Sequence, residues 1–323
     1  MNVANRAKLK PKINTLGKSH PIENSAFYKL TSKNVLYKLL GVPKEEVIRL
    51  LVDPDRYNEF QDITNIDKPR AIQKPKKALD VVQSRIASLI CRIEVPEYLE
   101  SGRKGHSHVT NAIAHVSPNN TSVAFLTTDI RSFFPSTTVV MVYNFFRSTL
   151  RCSHAISDIL SNLCTCRGFV PTGSRISMPI AFWANYPMFL ELDKLCEKHN
   201  VRMSVYVDDL TFSGNNINTL FLACVRKIII RHGHEPHPDK TKLYARNDVK
   251  IVTGVAIVDN SITATNKQHL KLYQEIEAWK AIKDIPDALE TNTVKRLIGR
   301  LNSLTLIDYR FKDKARSIKS ATS

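Results

Sequence analysis

The sequence has 323 residues, 43% of them hydrophobic, and 47 lysines and arginines against 30 acidic residues, a formal charge of +17. That length supports two or three subdomains around a sizeable core, and the charge points to a polyanionic partner. No apolar run reaches the length of a membrane span, no basic amphipathic helix stands out, and Met1 to Lys12 is basic with no apolar segment behind it. A cytoplasmic protein, neither secreted nor membrane-inserted, is therefore expected. The six cysteines show no CxxC spacing and read as free thiols in a reducing compartment.

Residues 1–22, basic and interrupted by Pro11 and Pro21, read as a loosely ordered arm suited to phosphate contact. From Ser25 to Leu51 the pattern is helical: Leu30, Val35, Leu36, Leu39 and Leu40 keep near-helical spacing, Gly41 ends that helix, and Pro43 with Glu45 and Glu46 starts another. Tyr57 to Gln73 reads as a strand pair around a turn, and Lys76 to Ile93 as an amphipathic helix burying Leu79, Val82, Ile86 and Ile90. Gly102-Arg103-Lys104-Gly105-His106-Ser107 is a short basic loop whose glycines relax the backbone's conformational limits. Asn111 to His115 follows as a short helix with Asn111 and His115 on one face.

Val123 to Asp129 is an apolar strand ending in a carboxylate. Val139 to Leu150, Ala155 to Cys166 and Ile180 to His199 read as helices, the last preceded by a loop over Phe169 to Pro179. The stretch that organises the chain is Met203 to Gly214. β-Branched and aromatic residues lead up to Asp208-Asp209, and Leu210 to Phe212 leads away, which describes a β-hairpin with the aspartates at its tip. Two adjacent carboxylates at a turn repel each other unless a cation sits against them. Asp129 lies 79 residues upstream in a similar setting, and pairing of its strand with the hairpin would bring Asp129 beside Asp208. Such a group can hold two Mg²⁺ and clamp the attacking and leaving oxygens of a phosphoryl transfer.

Thr219 to Arg231 reads as a helix with Leu220, Cys224 and Ile228 on one face. His232, His234 and His237 invite a zinc site, but Pro236 and Pro238 hold the chain extended and no cysteine follows, so zinc is not expected. Lys250 to Val258 reads as a strand, with a turn at Asn260-Ser261 before Ile262. From Thr265 the pattern is helical and basic: Leu270, Tyr273, Ile276 and Trp279, then Val294, Leu297, Ile298 and Leu301 beyond Pro286. Lys267, Lys271, Lys295, Arg296 and Arg300 are placed to lie along a duplex or an RNA stem.

Tyr206-Val207-Asp208-Asp209 resembles the catalytic hairpin of reverse transcriptases, and Asp129 to Ser136 resembles their first palm motif, with an aromatic five positions after the aspartate. The resemblance runs from about Arg70 to about Asp259. Asn111-Ala112-Ile113-Ala114-His115 and Val252-Thr253-Gly254 resemble elements of the retron type in particular. It implies an α+β right-hand polymerase: a basic arm over 1–22, fingers over 23–120, a palm of antiparallel sheet and helices over 121–262, and a small helical thumb over 263–323. It further implies a metal set of Asp129, Ile130, Asp208 and Asp209 holding two Mg²⁺. Arg70, with Lys68 as the second candidate, would grip the incoming triphosphate, and Phe134 would exclude a 2′-hydroxyl. Thr172 and Gly173 would lie beside the nucleotide. Lys240, with Lys242 as the second candidate, would serve the pyrophosphate leaving group as proton donor or electrostatic stabiliser. Asn111, His115, Val252, Thr253 and Gly254 would handle the RNA.

Two positions depart from the family pattern: Thr172 stands where glutamine is usual, and Arg175 where small residues or proline are common, which suits an added phosphate contact. The implied activity is RNA-directed DNA synthesis from dNTPs. A bacterial, cytoplasmic enzyme would copy part of a cognate non-coding RNA into a branched, RNA-linked single-stranded DNA (msDNA), with a separate effector protein in antiphage defence. The alternatives are another class of reverse transcriptase, or an RNA-binding scaffold of weak activity.

Overall fold

The computed structural model of the protein describes residues 12–64, 69–117 and 121–321; Lys68 and the arm up to Pro11 lie outside them. The chain forms two compact units, each assembled from separated stretches. Helices and antiparallel sheets mix throughout, as expected for an α+β chain. No helix of the described residues is long and apolar enough to cross a membrane.

The first unit takes the chain up to Glu97, then Asp129–Leu195 and Ala223–His237. It begins with α1 (Lys33–Leu40) and α2 (Lys44–Val52). Ser32 caps α1 by accepting from the Val35 amide, and Gly41 closes it in the left-handed conformation at φ 71°. Pro43 precedes α2, where its missing N–H costs nothing. Leu36 and Leu40 are buried, but Val35 lies one step round the helix and faces solvent. Strands β1 (Tyr57–Asp62) and β2 (Arg70–Pro75) form an antiparallel hairpin in register from Tyr57↔Pro75 to Asp62↔Arg70. Behind it α3 (Lys77–Ile90) buries Leu79, Val82, Ile86 and Ile90, as their spacing predicts.

Further along the same unit come α5 (Phe133–Ser136), α6 (Val139–Asn144), α7 (His154–Cys164), α8 (Ser177–Ala184) and α9 (Tyr186–His199) as far as Leu195; α4 belongs to the second unit. The helix expected over Val139 to Leu150 changes to a π turn at Phe145–Thr149. The helix expected over Ile180 to His199 is two helices, broken at Asn185. Pro187 has no amide to continue the ladder, and the Asn185 side-chain amide donates to Thr137 Oγ1 at 2.9 Å and the Ala181 carbonyl at 3.0 Å. Helix α10 (Thr219–Arg231) buries Phe221, Val225, Ile228 and Ile229. Its inner face is therefore turned from the expected one, and Leu220 is exposed.

The second unit takes Tyr98–Thr128, Cys196–Leu222 and the chain from Pro238 onward. It contains α4 (His108–Ile113) and a sheet of β3 (Ala124–Asp129), β4 (Arg202–Tyr206), β5 (Asp209–Gly214) and β6 (Lys242–Tyr244), in the order β4-β5-β3-β6. The boundary between the units falls inside β3, so Asp129 is the last residue of a strand of this sheet.

The strand expected over Lys250 to Val258 is a hairpin of β7 (Lys250–Val252) and β8 (Val255–Val258). Thr253 at φ 45° and Gly254 at φ 81° make the two-residue connection, the double left-handed step that matches strand twist. Asp259 and Asn260 repeat it before β9 (Ser261–Thr263). Three helices end the unit: α11 (Asn266–Lys280), capped by Thr265 and Gln268, α12 (Asn292–Leu304) and α13 (Arg310–Ser320). Their common core is Leu272, Val294, Leu297, Leu301, Leu304 and Ile318. Leu270 and Tyr273, expected on the inner face of α11, are exposed instead.

Candidate active site

The β4–β5 hairpin is closed by Tyr206↔Asp209, leaving Val207 and Asp208 as its two turn residues. Of these only Val207 has a positive φ, 61°, a position where such turns favour glycine and a β-branched residue is strained. The strain is held by neighbours on both sides. The Val207 amide donates to Ser101 Oγ at 2.9 Å, and residues 98–100 run along β4, with the Val205 amide on the Tyr98 carbonyl and the Glu100 amide on the Val205 carbonyl.

The base of the hairpin is fixed by His115. Its Nδ1 lies 2.7 Å from Ser213 Oγ on β5 and its Nε2 2.7 Å from Ser204 Oγ on β4. With both nitrogens engaged inside the protein, the ring is 3% exposed, and burial pushes its pKa down to about 3.

On this frame Asp129, Asp208 and Asp209 each offer a carboxylate oxygen, and the three oxygens lie within 4.8 Å of one another. Asp129 is 5% exposed, and its carbonyl accepts from the His237 amide at 2.7 Å. Among the described residues no other group of three or more histidines, cysteines or acids is arranged to hold a metal. Three hard oxygen donors packed at this distance fit Mg²⁺, which takes carboxylate oxygens and keeps some of its waters. Ile130 has only backbone oxygen to offer, since its side chain is a hydrocarbon, here wholly buried. Two histidines of the zinc pattern are otherwise engaged: His232 Nε2 lies 2.9 Å from Glu191, and His234 bridges Ser136 Oγ at 2.8 Å and Asn185 Oδ1 at 2.6 Å.

Beside the hairpin a cleft of about 360 Å³ is lined by Tyr206, Asp209, Thr128, Lys240, Lys242, Thr253 and Gly254, among others. The sequence-predicted Asp209 and Lys240 thus share one cleft with the Thr253-Gly254 turn. Thr253 Oγ1 donates to the His108 carbonyl at 2.7 Å and accepts from Asn111 Nδ2 at 3.3 Å, so Asn111 holds that turn from inside. Asn111 and Val252, like His115, are buried; these side chains shape the surface and do not form it. His115 also lies beyond the end of α4, which finishes at Ile113, so the shared helical face expected for the two is absent.

In the first unit, Arg70 opens β2 and is exposed. Phe134 is half-buried in α5 beside Phe133, whose ring packs on Phe189 and His234 in the core. Thr172 is tied to β2 at both backbone groups: its amide donates to Gln73 Oε1 at 2.9 Å, and its carbonyl accepts from the Gln73 amide at 2.7 Å. Gly173 has φ 107°, and a Cβ there would lie 2.7 Å from Ile72 Cγ2, so only glycine fits. Arg175 pairs through Nη1 with Asp80 of α3, a protein partner that the sequence does not reveal. Gln73 and Asp80 are the supporting residues that sequence reasoning missed; Gln73 is buried between half-buried Ile72 and exposed Lys74 on β2, and that inward position was the signal available.

No protein-family model matches the chain. Known proteins do. The retron Se72 reverse transcriptase of Salmonella heidelberg is 26% identical over 193 residues, 58% of this chain and 49% of that protein. The retron Mx65 and Mx162 reverse transcriptases of Myxococcus xanthus are each 27% identical, over 209 and 220 residues, again 58% of this chain and 48% and 44% of theirs. The likeness is to retron reverse transcriptases. It supports a retron-type reverse transcriptase and agrees with the resemblance carried by the palm motifs. The matches span about half the length of these retron enzymes.

Proposed function

We propose that the protein is an RNA-directed DNA polymerase of the retron type, with the fingers, palm and thumb divisions given above and the four-stranded sheet as the centre of its palm. The observation that carries the reading is the carboxylate triad, brought together by a strand end and a strained hairpin turn. Two Mg²⁺ bound there would supply Lewis-acid stabilisation of the reacting phosphate oxygens. Asp129, Asp208 and Asp209 would hold them, with Ile130 contributing its backbone.

The reaction forms a bond from a primer hydroxyl to the α-phosphorus of a dNTP and breaks the bond to pyrophosphate. Lys240 lines the same cleft as Asp209 and would neutralise or protonate the leaving group. Arg70 would bind the triphosphate, Phe134 would exclude ribonucleotides by overlap with a 2′-hydroxyl, and Thr172 and Gly173 would border the nascent pair. The Thr253-Gly254 turn is the exposed part of the RNA-handling set, with Asn111, His115 and Val252 behind the surface. In this reading the template is a cognate structured RNA, the product is msDNA, and a separate effector acts with them in antiphage defence in the bacterial cytoplasm.

Expression with the native flanking RNA region tests it. A discrete, DNase-sensitive species shortened by RNase is expected on a denaturing gel, and it should vanish with Asp208→Ala. Extension of an annealed primer without that species would make the protein a reverse transcriptase of another class. Absence of both would leave an RNA-binding scaffold.

A further inference from the structure

Within the first unit, the stretch Lys12 to Leu16 of the basic arm crosses the C-terminal end of α1 and the side of α3, and a cleft of about 330 Å³ opens between them. Its polar lining is Lys12, Asn14, Lys38, Ser84, Arg85 and Ser88, and among the described residues no carboxylate lines it. Lys12 and Lys38 are exposed at its mouth. Arg85 is held by its Nε–H on the Leu39 carbonyl at 2.8 Å, an orientation fixed by a neutral partner. Its pKa is lowered by burial and by the like charge of Arg92. Arg92 is uncompensated as well: its Nε and Nη2 are buried without a hydrogen-bond partner. Ser84, 3% exposed on the cleft wall, also has a hydroxyl without a partner.

Concentrating cations where water is partly excluded, with no acid among them, is unfavourable in the empty protein. An anion relieves it. Leu16, Leu39 and Val81 form an apolar wall beside the cations, which suits a ligand with a flat apolar part joined to a charged one.

We propose that this cleft is a second nucleic-acid contact, binding the phosphate of a nucleotide with its base against the apolar wall. The nucleotide comes either from an unpaired segment of RNA or free from solution. The RNA source rests on the polyanion partner of the proposed function; the site itself rests on the cleft alone.

The test uses the full chain in EDTA, which keeps nucleotides from the metal-dependent site. Fluorescence anisotropy is read with a fluorescein-labelled oligouridine and, separately, with mant-AMP. Lys12→Glu/Lys38→Glu is compared with Arg226→Glu/Lys227→Glu, an equal change of charge at exposed positions of α10. We expect the cleft variant to weaken oligouridine binding about tenfold more than the control. The same selective loss for mant-AMP would identify a free nucleotide as the occupant. If both variants weaken both probes equally, the attraction is diffuse and the site is refuted. Primer extension by the wild-type chain in Mg²⁺ separates the two readings: cleft-dependent binding in a wild-type protein that never extends a primer would sink the polymerase and leave the cleft standing.

Discussion

The carboxylate triad should make the metal-free protein less stable than one lacking a member of it. Two unit charges 4.8 Å apart repel by about 3.5 kcal/mol at an effective dielectric constant near 20. Asp208 and Asp209 are partly exposed, so water and salt reduce this, and ~1–3 kcal/mol remains for removing one charge from beside two others. Asp208→Asn keeps the shape of the side chain and removes the charge. In EDTA its melting temperature should therefore rise by a few degrees.

Added Mg²⁺ should reverse the order. At a thousand times its dissociation constant a ligand stabilises the protein that binds it by about 4.1 kcal/mol, more than the ~1–3 kcal/mol of repulsion, and Asp208→Asn should gain little of that. Differential scanning fluorimetry with and without Mg²⁺ reads both effects, and primer extension reads the loss of activity. A variant less stable than wild type in EDTA, or one that gains as much from Mg²⁺, would refute the electrostatic account of the site.

Two further outcomes follow from the supporting residues. Arg175→Ala should cost ~1–3 kcal/mol, because Asp80, 8% exposed and with Oδ1 already unpartnered, loses its countercharge. Asp80→Asn/Arg175→Ala should recover part of that in chemical denaturation, and a coupling energy near zero in this cycle would show the pair to be incidental. Acid should also destabilise the fold through His115 and His234, whose pKa values burial pushes down to about 3 and about 4 from the ordinary 6.5. Below pH 6.5 the unfolded chain takes up protons that these folded rings refuse. Stability is thus lost as pH falls from 6.5 toward 4, by up to about 1.4 kcal/mol per pH unit for each ring, and is flat above neutrality. His234→Gln should shallow that slope in urea titrations at stepped pH, and an unchanged slope would remove His234 from the account.

What the sequence shows of this fold is whatever short-range chemistry encodes. Ser32, Gly41 and Pro43 mark helix ends by their own caps, and alternation up to Asp208 marks a strand whose tip must carry charge. The Thr253-Gly254 turn is missed by a reading of Lys250 to Val258 as one strand, although a glycine inside an apolar strand pattern signals a break. Partnerships set by tertiary packing were not legible. His115 is paired with serines 89 and 98 residues away, and nothing in its surroundings along the chain distinguishes a ring that clamps a hairpin from one facing RNA. The face of α10 was misplaced for a related reason: a helix rich in apolar residues offers two stripes, and only the packed structure selects Phe221 and Val225 over Leu220.

The two departures from the reverse-transcriptase pattern gain a physical sense from the same long-range contacts. Thr172 reaches less far than glutamine, but its backbone is bracketed by Gln73, and Gly173 sits so close to Ile72 that the loop cannot drift from β2. Arg175 and Ser174 add links to Asp80 and Gln83 of α3. A loop fixed at four successive residues to one hairpin and one helix moves with them as a body. If that loop borders the nucleotide, its placement depends less on the side chain of residue 172 than on the hairpin that carries Arg70. Loosening Gln73 should then impair nucleotide use more than restoring glutamine at Thr172 improves it. Steady-state dNTP KM values for Gln73→Ala and Thr172→Gln decide the point, and a larger gain from Thr172→Gln than loss from Gln73→Ala would return the role to residue 172.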